Sequence, residues 1–144
     1  MKMSVKDYMS RVILSADKNL SVFEAAKLMV EKKIPYIIVL DGGKPVGIVT
    51  EEDLISKVLA ADRDPKITKL SDIMTTPLLT IDPDATLSEA AAIMSEKRVR
   101  KLPVVRDGII YGVLTTQDVA NYLNDYLNRV LKDILKFRPS LVLH

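Results

Sequence analysis

Cysteine is absent from all 144 residues, which excludes disulfides, thiolate metal sites and a cysteine nucleophile. The single histidine is the last residue, His144, so no internal catalytic triad or multi-histidine metal site is built on it. No Gly-Lys-Ser/Thr phosphate loop occurs. No apolar run approaches the roughly 20 residues a bilayer span needs. The start, Met1-Lys2-Met3-Ser4-Val5-Lys6-Asp7, lacks the apolar core of a signal peptide, so a cytoplasmic protein without a membrane partner is expected. Charge of one sign is lacking too: 21 Lys and Arg are interspersed with 19 Asp and Glu for a net +2. That balance describes a solvated surface better than a nucleic-acid stripe, and nucleic acid stays a secondary partner. A chain of this length buries roughly 70% of its unfolded surface, enough for one domain or two halves sharing a core.

What the chain does contain, it contains twice. Gly47-Ile48-Val49-Thr50-Glu51-Glu52-Asp53 returns as Gly112-Val113-Leu114-Thr115-Thr116-Gln117-Asp118, 65 positions on. The same offset aligns residues 7–54 with 72–119 without a gap and superposes Asp7 on Asp72, Glu24 on Glu89, Met29 on Met94 and Gly43 on Gly108. This period is too long for a solenoid unit, so two copies predict a pseudo-two-fold pair.

Each copy reads as β-α-β-β-α. An apolar segment opens it, Val12-Ile13-Leu14 or Leu78-Leu79-Thr80-Ile81. Ser21-x-x-Glu24 and Thr86-x-x-Glu89 are capping boxes that start a helix, and the helix carries apolar residues at helical spacing to about Lys32 or Lys97. Two apolar strands follow, Tyr36–Leu40 with Val46–Val49 and Leu102–Val105 with Tyr111–Leu114, joined by Asp41-Gly42-Gly43 or Asp107-Gly108 as hairpin turns. Continuous apolarity predicts burial on both faces, as in a two-layer α/β arrangement. A last helix starts at Thr50 or Thr115. The first is short and ends before Asp62-Arg63-Asp64-Pro65. The second runs to about Lys136, with an apolar stripe through Val119, Leu123, Tyr126, Leu127, Val130, Leu131 and Ile134. Either this stripe packs across the chain's own sheets or it binds a second subunit. Arg138-Pro139 stops it, and the tail Ser140-Leu141-Val142-Leu143 is docked or loose. The expected division is repeat 1 at 1–61, a linker at 62–68, repeat 2 at 69–124 and a helix extension and tail at 125–144, the repeats forming one module.

The repeated Thr-x-x-Asp supports two readings. As local structure, Thr caps a helix and Asp completes the cap in place of Glu or Gln, favoured by the helix dipole. As a site, a carboxylate at a strand-to-helix corner accepts both hydroxyl hydrogens of a ribose diol, while the Thr hydroxyl and free helix N–H groups suit a phosphate. Arg98, Arg100 and Lys101 are either a solvated edge or positive charge for that phosphate.

The ordered pattern Asp-x-Met, apolar segment, Ser/Thr-x-x-Glu-Ala-Ala-x-x-Met, Leu-Pro-Val-Val and Gly-x-x-Thr-x-x-Asp resembles the cystathionine-β-synthase (CBS) domain, and the tandem pair resembles a Bateman module. The resemblance covers roughly residues 3–124. It implies two copies packed sheet to sheet about a pseudo-dyad with two clefts between them, and modules that pair into flat homodimers. It implies adenosine compounds such as AMP, ADP, ATP or S-adenosylmethionine as regulatory ligands, with no cofactor required. Carried over by position, Asp118 holds a ribose with Thr115 beside it, Val12, Ile13 and Leu14 meet the adenine, and Leu102 and Pro103 complete the wall. The mirrored site uses Thr50 and Asp53, with Leu78, Leu79 and Thr80 across the cleft and Ile37 and Ile38 beside it. Arg100 matches a position that often binds phosphate in the family, with Lys101 next to it, whereas its equivalent in the first copy is Pro35. The resemblance therefore implies unequal sites, the one at Asp118 being the tighter for phosphorylated nucleotides.

The leading expectation is a non-catalytic sensor of adenosine compounds that signals ligand or energy state to a separate, unidentified protein. The alternative is an interaction scaffold with vestigial clefts that dimerises and binds a protein or nucleic acid. An enzyme is not expected, since none of the usual activated nucleophiles is present.

Overall fold

The computed structural model describes residues 3–137. Arg138-Pro139, the tail through Leu143 and His144 lie outside them, as do Met1 and Lys2. The first repeat contributes β1 (Ser15–Asp17), helix α2 (Val22–Lys32) and the hairpin β2 (Tyr36–Asp41) and β3 (Lys44–Thr50), preceded by a one-turn helix α1 (Val5–Tyr8). Helix α3 (Glu51–Asp53) passes directly into a π-helical stretch, Leu54–Leu59. The second repeat supplies α4 (Leu70–Ile73), α5 (Leu87–Lys97), the hairpin β4 (Lys101–Arg106) and β5 (Ile109–Thr115), and the long α6 (Thr116–Phe137).

The local signals act as their chemistry dictates. Ser21 Oγ accepts the Glu24 N–H at 3.2 Å and Thr86 Oγ1 accepts the Glu89 N–H at 3.0 Å, which satisfies one free donor at each helix start. Only the Thr86 box is closed in both directions; Glu24 leans instead towards Lys27, 3.8 Å away. Both helices end at a residue with positive φ, Lys33 and its equivalent Arg98. The hairpins turn at Gly42 and Gly43 and at Asp107 and Gly108, all with positive φ. β2 pairs antiparallel with β3 and β4 with β5, each hairpin slipping by one residue at the same place, Val39/Leu40 and Val104/Val105.

The third strand corrects the sequence reading. β1 begins after the apolar segment, not within it, and runs parallel to β2 with Ala16 opposite Val39. Its counterpart is a single bridge, Ile81 opposite Val104. Leu14 is turned into the first core and Ile13 into the seam between the repeats.

The one-turn helices are exchanged. Val5 of α1 is fully buried among Ile81, Leu87, Leu102 and Leu114 of the second repeat. Leu70 and Ile73 of α4 fill the first core beside Val22, Ile37 and Val49. Each such side chain removed from water contributes about 1.5–3 kcal/mol. The backbone follows the same symmetry: Val5 N–H donates to Ala85 O at 2.8 Å, and Leu70 N–H to Leu20 O at 2.9 Å. Ser10 and Val113 exchange two hydrogen bonds of 2.9 Å, as Thr75 and Ile48 do at 2.9 and 3.2 Å. Near α1, Lys6 pairs with Asp84 at 2.8 Å, and Arg106 bridges Asp82 and Asp84. The Arg106 and Lys6 hydrogen bonds hold the Asp84 carboxyl down to about 2. These groups are exposed, so burial rather than charge carries the attachment.

A third cluster joins the halves: Tyr36, Ile38 and Val113 are buried, with Ile13, Ile48, Leu78 and Ile110 against them. The repeats thus meet sheet to sheet. Helix α6 outruns this body. Val119 and Tyr122 pack on the second core, but Leu123, Tyr126, Leu127, Leu131 and Ile134 are each about half exposed. Beyond Tyr122 the stripe does not pack across the chain's own sheets. Among the described residues no helix is long and apolar enough to cross a membrane.

The glycine that opens each Gly-x-x-Thr-x-x-Asp run is explained by the exchange. A Cβ on Gly47 would lie 2.9 Å from Thr75 O and 2.7 Å from Met74 Sδ, and one on Gly112 would collide with Ser10 O. A carbonyl held in a two-way backbone bridge has no room to retreat. Gly112→Ala is expected to destabilise the fold by about 1–3 kcal/mol, read as a lowered urea midpoint. An unchanged midpoint would mean that the Ser10 strand is not held at that distance.

Candidate functional site

The end of β3 and the start of α3 form a corner at Thr50. Thr50 N–H donates to Asp53 Oδ2 at 2.8 Å, Thr50 Oγ1–H to the same oxygen at 3.1 Å, and Asp53 N–H returns to Thr50 Oγ1 at 3.2 Å. The second corner repeats the cap, with Thr115 N–H to Asp118 Oδ2 at 2.8 Å and Asp118 N–H to Thr115 Oγ1 at 3.2 Å. The local reading is therefore correct as far as it goes: both aspartates finish helix starts. Each spends Oδ2 on that task, which leaves Oδ1 for other partners. The Asp53 side chain is only 14% exposed, and its Oδ1 meets Lys57 Nζ at 3.1 Å.

The Asp53 corner faces a cavity of about 540 Å³ between the repeats, a volume within the range of small-molecule sites. Thr50, Glu51, Glu52 and Asp53 line one wall; Thr75, Pro77, Leu78 and Leu79 line the facing segment; Arg98, Val99, Arg100, Lys101 and Pro103 close it from the second repeat. Three cations and three carboxylates thus share one hollow with an apolar floor. Such a site can fork a diol at Asp53, seat a flat apolar ring on Leu78, Leu79 and Pro103, and pair an anion with Arg98, Arg100 and Lys101.

This grouping corrects the sequence reading, which set Arg100, Lys101 and Pro103 around Asp118. The backbone of Lys101 does pair with Thr115, but its side chain crosses the seam. Its ammonium lies 5.2 Å from the centre of the Tyr36 ring. Burial pushes Lys101 below its usual value, while Glu52, Glu51 and Asp53 pull it back up. The two sheets face each other, so the residue that opens each leading strand reaches the other repeat's corner.

The same alternation corrects Ile37 and Leu102 as cleft walls. Both side chains are fully buried, Ile37 in the first core and Leu102 in the second. Ile38 lies in the seam. Leu78 and Leu79 line the cavity of Asp53 as expected, whereas Thr80 is exposed and does not; Val12, set at the Asp118 corner, is 64% exposed. Sequence reading missed Glu51, Glu52, Thr75 and Pro77. The two glutamates stood inside the repeated run, where Thr116 and Gln117 replace them in the second copy. Thr75 and Pro77 become legible only once α4 is known to cross to the first repeat.

At the other corner Tyr36 takes the place that Lys101 has at the first. Burial raises the Tyr36 phenol above its usual value, and the Asp118 charge raises it further. A second hollow of about 520 Å³, beside α5 and α6, is lined by Met3, Leu87, Ala91, Val119, Tyr122, Leu123 and two hydroxyl residues and has no charged group. It does not offer the same chemistry. Among the described residues no cluster of metal-ligating side chains occurs.

The CBS domain pattern matches residues 5–60 and 70–125. An uncharacterized protein of Methanocaldococcus jannaschii is 33% identical over 134 residues, covering 91% of this chain and 70% of that protein. The crystal structure of the CBS domain pair of protein MJ0100, in complex with methylthioadenosine and S-adenosyl-L-methionine, is 30% identical with a TM-score of 0.78 over 88% of this chain and 99% of that one. A hexameric CBS-CP12 protein from bloom-forming cyanobacteria is 30% identical with a TM-score of 0.77, over 83% and 67% of the two chains.

The environment of Tyr36 tests which corner Asp118 faces. Because the carboxylate raises the phenol's value, Asp118→Asn is expected to lower it, towards but not to the ordinary 10.0, burial being unchanged. Carbon NMR of labelled tyrosine follows this titration directly. An identical Tyr36 curve in both proteins would separate Asp118 from the seam.

Proposed function

This chain belongs to the CBS domain family, and on that premise we propose that it is a non-catalytic regulatory module that binds adenosine compounds between its two repeats. The observation that carries the reading is the meeting, in one cavity, of the Thr50–Asp53 corner with Arg98, Arg100 and Lys101 of the opposite repeat. A carboxylate for a sugar diol and guanidinium groups for phosphate, on either side of an apolar floor, match the parts of an adenine nucleotide. The ligands of the MJ0100 pair, methylthioadenosine and S-adenosyl-L-methionine, both carry adenosine. Three cations at this cleft favour the AMP, ADP and ATP class over an unphosphorylated nucleoside. Asp118 and Thr115, with Val12, Ile13 and Leu14 across from them, form the second, less charged site.

A ligand seated here touches both repeats and the exchanged segment at once. It therefore binds best to one angle between the halves and draws the population towards that angle, which is the physical content of a signal. Helix α6 begins at the Thr115 corner and projects the change outward. Its exposed stripe is the surface we assign to a second copy in a homodimer, and the module so formed acts on a separate protein. An apolar helix face of this length needs cover. The same stripe favours one alternative, an interaction scaffold with idle clefts.

A thermal shift series separates the two readings. A ligand of the native state raises the melting temperature, by roughly 5–10 °C at a concentration about 100 times its Kd for a chain of this size. AMP and ATP are expected to do so, S-adenosylmethionine less, and duplex DNA not at all. A flat response to every adenosine compound would leave the scaffold.

A further inference from the structure

The two corners share a cap but not a load. Asp53 accepts the Thr50 N–H and hydroxyl through Oδ2 and the Lys57 ammonium through Oδ1, at 2.8, 3.1 and 3.1 Å. Lys57 is fixed at its other side as well, donating to the Ile73 carbonyl at the end of α4 at 2.9 Å. A carboxylate offers about four lone-pair positions. Three are engaged, and a diol needs two, so a ribose at Asp53 must displace Lys57 or turn the Thr50 hydroxyl away. At Asp118 only the Thr115 N–H is accepted, at 2.8 Å, and among the described residues no cation pairs with it. The residue equivalent to Lys57 is Tyr122, whose ring meets Tyr8 edge-on at 5.3 Å. Tyr8 in turn is the equivalent of Ile73. An aromatic contact thus replaces the ammonium bridge in the second repeat.

We propose that Lys57 determines the ligand class of the first cleft by competing with the ribose diol for Oδ1 of Asp53. The inference rests on the adenosine reading above and sharpens it. An unphosphorylated adenosine gains only the diol and ring contacts at Asp53 and loses the Lys57 pair, so the first cleft holds it weakly. A phosphorylated compound adds charge-assisted bonds to Arg98, Arg100 and Lys101, which offset that loss. Lys57 therefore lowers the affinity of the first cleft for any ribose, and only a compound with a phosphate has bonds that offset the loss.

Calorimetry with adenosine and with AMP, in an Asp118→Asn background that keeps an acceptor for the Thr115 cap, isolates the first cleft. Adding Lys57→Gln is expected to raise adenosine affinity roughly three- to tenfold, the worth of a half-buried ion pair. AMP, whose ribose meets the same carboxylate, should gain by a similar factor. Lys57→Met, which keeps the packed stem, should agree with Lys57→Gln, and Lys57→Arg, which keeps the pair, should leave adenosine as it was. Unchanged or weaker adenosine binding in Lys57→Gln and Lys57→Met, with AMP still bound, would overturn the role of Lys57 while the adenosine site stands. Failure of the unaltered chain to bind either compound would overturn both.

Discussion

Everything in this molecule hangs on a backbone contact that only glycine permits. Ser10 lies against Gly112 and Thr75 against Gly47, and each contact pins the end of a segment whose first turn is buried in the other repeat. The exchange turns two marginal β-α-β-β-α units into one body, because neither core is complete without Val5 or Leu70 from elsewhere in the chain. It also builds the site. Thr75, Pro77 and Leu78 stand opposite the Thr50 corner because α4, just before them, is anchored in the first core. Fold and cavity are consequences of the same interlock.

Duplication would give two equal clefts, and individual side chains break the equality. Positions 36 and 101 are equivalent, yet one carries Tyr and the other Lys, and the two meet across the seam as ring and ammonium. Glu51 and Glu52 become Thr116 and Gln117, and Pro35 becomes Arg100. One cleft is thereby crowded with charge of both signs, while the other corner keeps a carboxylate beside a buried phenol. The basic residues that the resemblance set beside Asp118 line the cavity of Asp53 instead.

The parts of this structure governed by neighbours in sequence were legible from it. Ser21 and Thr86 start helices, the glycine turns make hairpins, and the continuous apolar runs of β2 and β4 are buried on both faces, because a few adjacent residues settle each of these. The apolar stripe of α6 was equally plain, and beyond Tyr122 it is exposed. What was not legible depends on contacts distant in sequence. Nothing in Val5 or Leu70 tells which core it enters, since either accepts an aliphatic side chain. For the same reason Arg100 and Lys101 were set beside the nearer aspartate; their strand pairing does lie there, but their side chains cross the seam. The third strand of the second repeat shrank to the Ile81 bridge, a difference the apolar pattern does not encode.

An adenine nucleotide bound as proposed would touch the exchanged segment, the Thr50 corner and the basic edge of the second repeat at once. Backbone amide NMR of the labelled chain titrated with AMP tests it most directly. The largest shifts are expected in three stretches far apart in sequence, 50–53, 75–79 and 98–103, moving together along one binding curve. Shifts confined to the exposed face of α6, or to the surface ion cluster around Asp84, would contradict it.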